Sequence, residues 1–178
     1  TESSPVYDNA VYIIEDIDFD IVENDKFDEM HLSTAAEIMF NTGKHEASLN
    51  LYRKIPDIDM TGRAWSVRGR CEVYAGFLNS ALKSFSAALE SGDKSLNVRE
   101  ITGMIHMIRG ENEKALQLYD DAIVRGENVE SVTSAKASLL FDMGRKEELL
   151  IFRREAERLL GRGSDVDGYA GLITMEED

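Results

Sequence analysis

Hydrophobic positions along this chain recur at helical spacing, and the segments that carry them are punctuated at one longer interval. Gly43, Gly76, Gly110 and Gly144 follow one another at intervals of 33, 34 and 34 residues. Each stands where one amphipathic helix would stop and a short turn would start the next, a place suited to positive φ. Five residues on come Ser48, Ala81, Ala115 and Leu149, three of them small. Next come Tyr52, Phe85, Tyr119 and Arg153 (with Phe152 beside the last), then Ile55, Ala88, Ala122 and Ala156. Seven residues before the glycines stand Ala36, Gly69, Gly103 and Ala137, and four earlier Leu32, Trp65, Arg99 and Thr133. Small residues let two helix backbones approach closely, and an aromatic ring fills the gap beside them. The pattern predicts four helix pairs, 29–42 with 45–55, 62–75 with 79–90, 95–109 with 112–125, and 130–143 with 146–160.

This repeat resembles that of the tetratricopeptide family, whose first helix carries Trp, Leu, Gly and Tyr and whose second carries Ala, Phe or Tyr, and Ala. The second unit matches best, with Trp65, Gly69, Gly76, Ala81, Phe85 and Ala88 in the family's places. The third follows with Gly103, Gly110, Ala115, Tyr119 and Ala122, although Arg99 replaces the aromatic. The first and fourth are degraded, as terminal repeats are where one face lacks a neighbour. The resemblance implies an all-α, right-handed solenoid of about four hairpins over residues 29–163, with units near 29–61, 62–95, 96–129 and 130–163. An acidic N-terminal segment, 1–28, precedes it and an acidic tail, 164–178, follows. Within 1–28, Val6, Ala10, Ile13, Ile14 and Ile17 have the spacing of a short capping helix. Residues 16–21 alternate acid and apolar, which a strand or an extended docking segment would also show.

Charge changes this picture in one respect. The net charge is −14, yet residues 1–29 hold ten acids and one lysine, and 164–178 hold five acids and no base. The stretch between balances 19 acids with 19 bases. No surplus of bases is available for phosphate, which argues against nucleic acid as the main partner. No apolar run reaches the length of a membrane span. The single cysteine, Cys71, makes no internal disulfide, so a reducing, cytoplasmic setting is expected.

Candidate chemistry is sparse. Asp16, Asp18 and Asp20 imitate the start of a calcium loop, but Ile21 stands where glycine is needed and Phe27 where an acid is needed. His31, His45 and His106 fall in different units without metal-site spacing. Cys71 has no histidine near it in sequence and reads as a buried small apolar residue. No metal, cofactor or catalytic constellation is expected, and the reading is of a binding protein rather than an enzyme.

The resemblance implies that the first helices of successive units line a concave surface where ligands sit. Steps of 100° from the small residues assign its lining. The first unit presents Met30, Ser33, Thr34, Glu37 and Asn41, and the fourth Ser131, Ser134, Ala135, Ser138 and Asp142. The central units would expose Val67, Tyr74, Ile101, Met104 and Ile108 as an apolar band flanked by Arg63 and Arg70. Exposed apolar patches with an adjustable Met mark binding surfaces, although an N-terminal segment or a neighbouring molecule could cover this one. The chaperone-tail clamp of one tetratricopeptide subfamily is absent, since its places hold Ser33, Glu37, Val67, Asn97 and Ile101. The expectation is a protein-binding adaptor or chaperone-like module holding a partner segment with apolar residues and an acid. The alternative is a structural subunit that self-associates or stacks in a larger assembly.

Overall fold

The computed structural model describes residues 29–93 and 97–161. The expected capping helix in 1–28, the 16–21 stretch and the tail 164–178 lie outside the described residues. Among the described residues are eight α-helices, one 3-10 turn and no strand. The chain divides into two compact units, with the break between Ser91 and Gly92. The first contains α1 (Glu29–Asn41), α2 (His45–Tyr52), the 3-10 turn Asp57–Asp59, α3 (Gly62–Tyr74) and α4 (Leu78–Glu90). The second contains α5 (Val98–Ile108), α6 (Asn112–Val124), α7 (Val129–Asp142) and α8 (Lys146–Leu160). In each unit, consecutive helices pack on one another, and α3 also touches α1.

Helix ends have identifiable causes. After α3, Gly76 takes φ +78°, its N–H donates to Val73 O at 2.9 Å, and Phe77 N–H donates to Glu72 O at 2.8 Å. This Schellman arrangement satisfies carbonyls that the last turn would otherwise orphan. At the start of α3, the Thr61 hydroxyl accepts from the Ala64 N–H at 3.1 Å. Helix α2 ends at Tyr52, short of the expected 55: Pro56 has no N–H to continue it, disfavours helical backbone in the residue before it, is itself extended (ψ 142°), and the 3-10 turn follows. The helix expected from 95 begins at Val98, and 94–96 lie outside the described residues.

The small positions meet their rings as anticipated. A Cβ added at Gly69 would lie 2.5 Å from the Phe85 ring, and one at Gly103 would lie 2.5 Å from the Tyr119 ring. In the first hairpin, buried Ala36 gives its carbonyl to the Ser48 hydroxyl at 2.7 Å. Tyr52, Phe85 and Tyr119 are fully buried. Each such ring takes roughly 150–250 Å² out of water. In the last hairpin the register is carried by Phe152, which is buried, while Arg153 turns out to meet Glu157 at 3.4 Å.

Candidate functional site

In the first unit, one face of α1 walls a cavity of about 760 Å³. All five residues assigned to that face line it: Met30, Ser33, Thr34, Glu37 and Asn41. Ile55, Met60 and Ala64 close the other side, since the chain returns through the 3-10 turn into α3. The lining carries Glu29, Glu37 and Asp59 and, among the described residues, no cationic side chain. Arg63 stands nearby, but its Nε donates to Glu37 Oε1 at 2.9 Å and a terminal guanidinium nitrogen reaches the same oxygen. Burial and the Glu37 carboxylate push the Tyr52 phenol well above its ordinary value, so it stays neutral.

The other assigned residues of α3 are held by aromatic contacts. The Arg70 guanidinium lies 4.9 Å from the Phe40 ring centroid, a cation–π distance. Tyr74 is 62% exposed and stacks flat on His45, with centroids 3.9 Å apart and planes at 2°. Val67 corrects the expectation: it is 2% exposed and belongs to the core, as does Ser66 beside it. Helix α3 packs against α1, α2 and α4, so more of its circumference is covered than a helix resting on one neighbour would hide. Cys71 is also buried; its thiol meets the Ser48 hydroxyl at 3.3 Å, and burial raises its pKa, which keeps it protonated.

In the second unit, Ile101 is half-buried, Met104 is 43% exposed and Ile108 is 67% exposed. Met104 lies on a cavity of about 580 Å³ that Ser131, Ser134, Ala135 and Ser138 of α7 also line, as the wheel assigned them. Glu100 stands in its wall, accepting from Asn128 Nδ2 at 2.6 Å and from the Ser131 hydroxyl. Tyr119 reaches the same cavity from α6. Its hydroxyl is buried without a hydrogen-bond partner, and burial, then Glu100, pushes its pKa up to about 12.

No protein-family profile matches the chain. The crystal structure of MamA superposes on it with a TM-score of 0.72 at 14% identity, covering 85% of this chain and 87% of that one. YrrB, a TPR protein with an unusual peptide-binding site, superposes with a TM-score of 0.69 at 19% identity, covering 89% and 82%. This is a tetratricopeptide-repeat fold. In sequence, BBSome complex member BBS4 of Mus musculus is 28% identical over 112 residues, which take in 58% of this chain. The matched stretch spans one fifth, 20%, of the length of BBS4.

Within this tetratricopeptide frame, two charged features escaped the sequence reading. Arg99, at the aromatic place, sends one terminal nitrogen to both Glu127 oxygens, at 2.6 and 2.9 Å, with both side chains mostly buried. Glu72 is 3% exposed and is met by the Ser84 hydroxyl at 2.7 Å and Arg68 Nε at 3.2 Å. Both acids are distant in sequence from at least one partner, so no local pattern marks them. Among the described residues no three metal-ligating side chains come together, and no helix is long and apolar enough to cross a membrane.

Proposed function

We propose that this tetratricopeptide chain is a protein-binding adaptor or chaperone-like module that holds a peptide segment of a partner protein on the open faces of its hairpin first helices. The observation that carries this reading is the cavity of about 760 Å³ on α1, whose walls include Met30, Ile38, Ile55 and Met60. Its size falls in the range of sites that bury a ligand. Exposed Tyr74 in the first unit, and Met104 and Ile108 in the second, add apolar surface of the kind binding faces carry. The description of YrrB as a peptide-binding TPR protein supports the same reading. The partner segment is apolar first. An acid on it would have to displace Glu37 from Arg63 or meet Arg70 over the Phe40 ring. The protein acts without a cofactor, in the cytoplasm.

Capture of a partner from the source cell, then fluorescence anisotropy with its bound segment, tests the proposal. Ile38→Glu places a charge in the α1 cavity and Met104→Ala removes exposed contact in the second unit. At least one should weaken binding about tenfold while the melting curve is retained. Full affinity in both variants moves the site elsewhere. A structural subunit acting through self-association is the second reading, favoured by α8, which exposes Ile151 (68%) and Leu159 (47%).

A further inference from the structure

The second-unit cavity has a chemistry of its own. Its acids are Glu100 and Glu130, and among the described residues no Lys, Arg or His lines it. Glu100 holds an amide and a hydroxyl, from Asn128 and Ser131, but no cation among the described residues. A carboxylate has about four lone-pair sites, so acceptor capacity remains on Glu100. Tyr119, 0% exposed, is among the residues that line the same cavity, and its buried hydroxyl has no partner. A buried hydroxyl left unpaired is costly, and a ligand donor that reaches it recovers that cost.

The first unit shows what fits beside such a pair. Tyr52 occupies the repeat place of Tyr119, and the Glu37 carboxylate acts on its phenol. There the chain supplies its own guanidinium on the carboxylate, since Arg63 is paired to Glu37, while the Tyr52 hydroxyl, like that of Tyr119, has no hydrogen-bond partner. In the second unit the phenol and the carboxylate stand without a guanidinium among the described residues.

We infer that the cavity at Glu100 and Tyr119 is a subsite for a basic side chain of the bound partner segment, an arginine or lysine. The ammonium or guanidinium donates to Glu100 and to the Tyr119 oxygen, while the stem of the side chain rests on Met104 and Met107. This deepens the peptide-binding proposal and rests on it. It adds a base to the acid expected of the ligand, whose own contacts, Arg63 and Arg70, already have a carboxylate and a ring.

Binders selected on the full chain from a random peptide library provide the probe, with affinities read by fluorescence anisotropy. Binders that depend on Met104, judged with Met104→Ala, should contain Arg or Lys. Replacing that residue by citrulline or norleucine should weaken binding by about tenfold, the size of a charge-assisted hydrogen bond. In Glu100→Gln the same replacement should lose most of its effect, whereas Asp121→Asn, an exposed charge-matched control on α6, should leave it intact. Tyr119→Phe should weaken the basic peptide alone and keep the fold, since Phe85 already fills the same repeat place. Met104-dependent binders indifferent to the basic residue, or to Glu100→Gln, overturn the inference and leave the peptide-binding proposal standing. If selection yields no binder that depends on Met104 or on Ile38, the peptide-binding proposal fails and the subsite fails with it.

Discussion

Tyr119 and Gly103 touch so closely that one atom more would not fit: a Cβ at residue 103 would lie 2.5 Å from the ring. Gly103→Leu should therefore destabilise by about 1–3 kcal/mol or more through overpacking, read as a lower midpoint in urea. An unchanged midpoint would mean that α5 and α6 are not in this register. The Tyr119 hydroxyl works in the opposite direction. It is buried and unpaired, so Tyr119→Phe should stabilise the free protein by an amount on the order of 1 kcal/mol, read as a raised thermal midpoint. A lowered midpoint would mean that the hydroxyl has a partner in solution. Glu111 supplies a pH test. Hydrogen bonds from Lys114 first and His106 second hold its carboxyl at about 2, below the ordinary 4.5. A depressed pKa gives stability that is present above the unfolded value and lost as pH falls from 4.5 through about 2. The group is partly exposed, so the sign is expected to be clear and the size small. A carboxyl-carbon NMR titration with a midpoint near 4.5 would show that those bonds do not form.

At the scale of the elements, the turns are set by conformation rather than by contact. Gly110 takes φ +74° after α5 with open space where a Cβ would stand, so the cost of a side chain there is backbone strain alone. Gly110→Ala should cost about 1–2 kcal/mol, the left-handed penalty for a residue with a Cβ. A change below a few tenths would show that the turn can be remade. The repeating glycines announced these turns plainly, because positive φ is a property of one residue and its neighbours. The end of α2 was also written locally, in Pro56. Arg99 was legible as a departure from the repeat, but its partner was not. Glu127 lies 28 residues on, and only the packing of α5 beside the turn after α6 brings the two together.

For the whole molecule, the net charge of −14 works against self-association, and the adaptor reading expects a monomer. Light scattering should give a mass of one chain at all concentrations. A mass rising with concentration and lost in Ile151→Glu would favour the self-association reading instead. What the sequence determined by itself is the periodic part. The four hairpins, the small residues under the rings, the lining assigned to α1 and all of that assigned to α7 except Asp142 follow from spacing. They could be read because helix geometry converts spacing into a face, and repetition tests the same face several times. What only the tertiary structure decided is how much of each face remains uncovered and which charges are already paired. Val67 sat on the assigned open face of α3 and is nonetheless core, because three helices of its unit pack around α3. Arg63 looked available for a ligand's acid, yet Glu37 from α1 holds it, while Glu100 shares a cavity with a buried phenol and, among the described residues, no arginine lines it. Burial and ion pairing depend on elements far apart in the chain, and no single helix carries the information that sets them.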